Sequence, residues 1–149
     1  MSHMKTLISS LFATSLFFAS VAFAGDSPHH QRHELMESAK EAAKVVGPML
    51  QGEREYDNAA AMESLHAWAG IAEKFGGLFP EGSETGEDTE AAPAIWEDRE
   101  GFDAALAEWN DAINAAIEAN PATLEEAKPV LGAVFGSCKN CHDTYRIEE

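Results

Sequence analysis

The two cysteines of this 149-residue chain stand together near its end, in Cys138-Lys139-Asn140-Cys141-His142. Two thiols at this spacing can add across the two vinyl groups of one haem and leave thioether links. The adjoining imidazole can then reach the iron. On a helix, positions 138, 141 and 142 fall at i, i+3 and i+4 and share one face. Cys138 and Cys141 would clamp the porphyrin edge, and His142 would be the proximal iron ligand of a single covalent haem c. Thioredoxin-like chemistry wants a βαβ setting, which the pattern lacks. Structural zinc wants four ligands, and two cysteines fall short. A disulfide between them would close too small a loop to hold a fold.

Haem attachment of this kind suits an exported protein, and the N-terminus reads as an export signal. Met1-Ser2-His3 resembles an expression scar, and Met4-Lys5-Thr6 a natural start. Leu7 to Ala24 is an apolar run after one lysine, closing on Ala22-Phe23-Ala24, a small-x-small cleavage pattern. As a membrane anchor it is interrupted by Ser and Thr and lacks a basic stop-transfer cluster. Residues 1–24 are expected to be scar and signal peptide, removed on export, with residues 25–149 folding in the periplasm. Removal of Lys5 leaves 9 basic against 26 acidic residues, a net charge of −17. Such a charge speaks against nucleic acid and anionic membrane surfaces as partners and favours a basic docking protein.

The elements that must carry the motif are helices, since apolar residues recur at spacings of three and four and strand alternation is absent. Ser27-Pro28 predicts the start of a first helix with Leu35, Met36, Ala39, Ala42, Ala43, Val46 and Leu50 on its inner face. Gly47-Pro48 is expected to bend or break it. Asp57 or Asn58 caps a second helix with Met62, Leu65, Trp68, Ala69, Ala72 and Phe75 inward. Gly76 to Pro93 reads as a solvated, mobile crossover whose acids lack the spacing of a calcium loop. Pro93 opens a third helix carrying Trp96, Phe102, Leu106, Trp109, Ile113 and Ile117. Thr123-Leu124-Glu125-Glu126 is a capping box for a fourth, which Pro129 is expected to kink. The fold class is all-α: an antiparallel four-helix bundle, a scaffold that holds cofactors between facing helices.

A haem motif on the last helix of a bundle resembles the class II c-type cytochromes, cytochrome c-prime and its low-spin relatives. The likeness rests on Arg32-x-x-x-Met36, Gly52-Glu53, Trp96-x-x-Arg99-x-x-Phe102-Asp103 and Cys138 to Arg146, and spans nearly the whole exported chain. The resemblance implies that Arg32 pairs with a haem propionate and that Arg146 sits in the proximal pocket. It puts Met36 at the distal position. In low-spin relatives a methionine there ligates the iron and the protein carries electrons. In high-spin members the site is open and binds nitric oxide or carbon monoxide. The principal expectation is electron transfer with iron held by His142 and Met36. The alternative is a gas-binding protein with an open or Met-gated site. An enzyme is not expected, because Leu35, Met36 and Ala39 offer no general acid or base. Met49 and Met62 read as packing, His29, His30 and His33 as exposed at a fraying helix start, and His66 as outward-facing. The resemblance also implies a homodimer through the first two helices, where the Ala-rich second helix with Gly70 permits close approach.

Overall fold

A computed structural model describes residues 27–86 and 89–147. The expected signal peptide and its cleavage site lie outside the described residues.

Helix α1 (Pro28–Gln51) begins where the Ser27 hydroxyl accepts the His30 backbone N–H at 3.2 Å. It runs through Pro48 without a break and ends at Gly52, whose φ of 76° closes it in the left-handed region. The expected break at Gly47-Pro48 does not occur. The bond that Pro48 cannot donate would fall near the helix end at exposed Lys44, where solvent can take the carbonyl. The Pro48 carbonyl itself accepts from Glu53 and Arg54. Helix α2 (Asn58–Phe75) is capped by Asp57, whose carboxylate accepts the Ala60 N–H at 3.1 Å, and a 3₁₀ turn follows at Gly76–Leu78.

The expected third helix is two. After α3 (Ala94–Glu97), Asp98 leaves helical geometry at φ −129°, ψ 66° and caps α4 (Arg99–Ala119) by accepting the Gly101 N–H at 3.1 Å. Asp98 thus ends one helix and starts the next, because its side chain offers the backbone a better partner than the continuing turn. Gly101 leaves room for both partners: a Cβ would lie 2.2 Å from the Asp98 carboxylate and 2.6 Å from the Tyr145 hydroxyl, and one or both would have to move. Helix α5 (Leu124–Tyr145) opens on the expected capping box, with Thr123 and Glu126 each accepting the other's backbone N–H, and runs through Pro129 as one element.

The four long helices alternate in direction. Helix α1 packs on α2, α2 on α4 and α4 on α5, whereas α1 and α5 meet sparsely. Away from the haem motif, Val46, Leu65, Ile113, Leu131 and Val134 form a fully buried aliphatic core. That end is bolted by the Pro121 carbonyl, which accepts the Tyr56 hydroxyl and the Asn58 amide, both at 2.8 Å. Near the motif a second cluster joins Phe79, Ile95, Phe102 and Tyr145.

Phe79 belongs to the crossover, which is not simply a solvated segment. Phe79 and Ser83 are buried. Arg32 donates to the Ser83 carbonyl at 2.9 Å, and Arg99 to the carbonyls of Phe79 at 3.2 Å and Gly76 at 3.0 Å. Further on, Ala92 N–H donates to the Tyr145 carbonyl at 3.0 Å and Ile147 N–H to the Glu90 carbonyl at 2.8 Å, around an isolated Ala91–Arg146 bridge. The segment is held because its carbonyls find guanidinium donors and its phenylalanine finds aromatic neighbours.

Candidate cofactor site

Between the motif-bearing ends of the helices lies a cavity of about 490 Å³, within the usual span of cofactor pockets. Helix α5 lines it with Cys138, Cys141 and His142, and α1 with Arg32, Met36, Ala39 and Ala43. Phe75, Phe79, Phe102, Leu106, Trp109 and Phe135 supply most of the apolar wall. All six residues expected to serve the site therefore come to one cavity, counting Arg146 just beyond α5.

The chemistry of each group follows from its surroundings. Cys138 and Cys141 are unpaired thiols, each half-buried. Burial pushes the Cys138 thiol up to about 11, and the neighbouring Cys141 adds to the rise. Burial raises Cys141 as well. His142 is held below its ordinary value, first by burial and then by Arg146, with Glu90 and Asp143 opposing. A neutral imidazole keeps a lone pair free for a metal at neutral pH.

Arg32 is only 5 % exposed. One terminal nitrogen donates to Ser83, and the guanidinium lies over Phe79 at 4.7 Å and Trp96 at 5.9 Å. The other terminal nitrogen is buried without a partner. An orphaned guanidinium N–H is costly, and a carboxylate brought into the cavity would satisfy it. Apolar walls, two thiols and an imidazole on one helical face, and a cation lacking an anion fit a haem with its propionates.

One sequence reading is corrected here. His29 is not an exposed residue of a fraying start. It is half-buried on the cavity wall, with Nε2 packed where a Cβ on Gly86 would come within 2.6 Å. The crossover at Gly86 covers it. Arg146 caps the end of α5 in extended geometry, its N–H still donating to the His142 carbonyl, and its Nε donates to Glu90 Oε2 at 2.6 Å. His30, His33 and His66 are exposed as expected, though His33 borders the cavity. Phe79 and Glu90, which line the cavity, and Ser83, which holds Arg32, are neighbours of the site that the sequence reading missed. Phe79 left a signal, an aromatic residue in a polar crossover; Glu90, one acid among several, left none.

A family model described as cytochrome C' matches residues 27–146. The chain belongs to the cytochrome c' family. It is 35% identical to cytochrome c' of Rhodopseudomonas palustris over 149 residues, covering 98% of this chain and 99% of that one. It is 31% identical to cytochrome c-556 of Agrobacterium fabrum, covering 98% and 97%. The solved structure of Rhodopseudomonas palustris cytochrome c' superposes with a TM-score of 0.80 at 37% identity, over 84% of this chain and 99% of that one. The nitric oxide complex of a mutant cytochrome c prime from Alcaligenes xylosoxidans superposes at 0.68 with 26% identity, over 84% and 99%. As a member of the cytochrome c' family, the chain is a four-helix-bundle electron-transport protein with covalent haem c and its iron as cofactor.

Proposed function

We propose that this cytochrome works as a periplasmic electron carrier whose haem iron is held by His142 and Met36. Supporting this reading, Met36 and His142, on the first and last long helices, both line one apolar cavity. Haem c supplies a one-electron couple at its iron when bound. Cys138 and Cys141 tether it by thioether links, and neutral His142 offers its lone pair on the proximal side. Met36 offers a soft, uncharged thioether on the distal side, which favours the reduced metal and raises the potential. The free terminal nitrogen of Arg32 takes a propionate, its guanidinium already oriented by Ser83 and Phe79. Phe75, Phe79, Phe102 and Phe135 exclude water and so limit reorganisation as charge changes.

Export removes residues 1–24, and the mature acidic surface presents itself to a basic redox partner. No catalytic role is proposed. A homodimer through α1 and α2 completes the proposal; sedimentation of the purified protein tests it.

A second reading has one observation behind it. The small side chains Ala39 and Ala43 line the cavity on the same helix as Met36; in this reading the thioether swings aside and nitric oxide or carbon monoxide takes its place.

Absorption spectra of the ferric and ferrous protein, with and without carbon monoxide, separate the two. The carrier is expected to be six-coordinate low-spin, with a sulfur-to-iron band in the far red and no carbon monoxide shift. A high-spin ferrous spectrum would overturn ligation by Met36. Met36→Ala should convert the spectrum to five-coordinate.

A further inference from the structure

Two segments far apart in sequence meet beside His142: the end of the crossover, and the last turn of α5 with the residues that follow it. Glu90 is held twice. Its carbonyl accepts the Ile147 N–H at 2.8 Å, and its carboxylate accepts from Arg146 Nε at 2.6 Å. Arg146 is held by the same bridge through Ala91. Both charged side chains border the cavity alongside His142. They act on its imidazole with opposite sign, Arg146 disfavouring positive charge there and Glu90 favouring it. Asp143, the other acid acting on His142, is already engaged by Lys139 on the preceding turn.

The pair is about half exposed on both sides. Exposed pairs contribute little to folding, so stability does not account for this arrangement. Its place does: a guanidinium on a long flexible stem would otherwise sample solvent, and Glu90 keeps it at the proximal wall.

We propose that Glu90 is a positioning residue that fixes Arg146 beside His142 and, through it, sets the charge felt by the haem iron. The proposal rests on His142 being the proximal ligand. An arginine held near the iron disfavours the oxidised, more positive state. R146Q should therefore lower the potential, and the size of that effect should depend on residue 90.

The test is a double-mutant cycle on the holoprotein, read as midpoint potential by spectroelectrochemistry. R146Q in the parent should reduce the equilibrium constant for reduction about fivefold at low ionic strength. In an E90Q background the same change should cost less than about twofold, because an untethered Arg146 no longer sits at His142. Glu90→Asp, which keeps the carboxylate, should preserve most of the fivefold effect. Urea midpoints should stay close to the parent throughout. Equal R146Q shifts in the parent and E90Q backgrounds would mean two independent charges and would refute positioning; so would no shift in the parent. His142→Gly serves as the control. If it leaves the haem spectrum unchanged, both the ligation and this proposal fall. If it changes the spectrum while the cycle is flat, only the Glu90 role is lost.

Discussion

At the end of the bundle where α1 passes to α2 and α4 to α5, the interior is aliphatic and fully buried, from Val46 through Leu65 and Ile113 to Leu131. At the other end the interior is aromatic. Phe79 meets Phe102 at 4.8 Å between ring centroids and Phe75 at 5.1 Å, and Phe102 meets Tyr145 at 5.3 Å, all nearly edge-to-face. The aliphatic end is built by regular helices and the two short loops that join them. The aromatic end recruits irregular backbone, a helix broken at Asp98 and a crossover laid across the cavity. The difference teaches that one end supplies cohesion while the other gives up regular packing to surround a cofactor.

Substitutions can break this division, beginning where the most energy is at stake. Leu131→Ala removes a fully buried side chain and should cost about 2–5 kcal/mol in urea unfolding. The haem spectrum should not move; a shifted spectrum would mean that the two ends are not independent. Gly101→Ala probes the other end, driving a methyl group into the Asp98 carboxylate and the Tyr145 hydroxyl. It should cost about 1–3 kcal/mol and should also perturb the haem spectrum, since Tyr145 and Phe102 border the cavity. Thr123→Ala loses one half of the capping box, at about 1 kcal/mol, with no spectral change.

The mildest probe is pH, applied to the haem-free chain. Burial holds the Cys138 thiol at about 11, above its ordinary value near 9. The folded form therefore keeps its proton while the unfolded form loses it. Stability is complete below about pH 9 and declines as pH climbs toward 11. Alkylation at pH 8 should run about tenfold or more slower in the folded chain than in urea. Equal rates would place Cys138 outside the apolar wall.

These contrasts also explain what could be read in advance. The haem motif, the stripes of the four long helices and the Thr123-Glu126 box are local patterns, fixed by residues three or four apart. They were legible for that reason. Pro48 does not break α1, because it lies within a few residues of the helix end, where a missing donor matters little. Asp98 was missed as a break because its capping role depends on a helix already ended. The Arg32–Ser83 and Arg146–Glu90 contacts join residues 51 and 56 positions apart. No spacing rule reaches that far, so the cavity's crossover wall emerged only with the fold. Met36 and Arg32 were legible through family resemblance, whereas their common cavity with His142 is a product of packing.

The Pro121 bolt carries a last consequence. One carbonyl gathers Tyr56 and Asn58 and so joins the two loops at the aliphatic end. Thermal opening of the bundle should then be directional, starting at the crossover and spreading toward the bolt. Backbone amides around Leu65 and Ile113 should exchange with deuterium only through global unfolding, while those near Ser83 and Ala92 exchange through smaller openings. A bundle fastened at one end can part its helices at the other without coming apart.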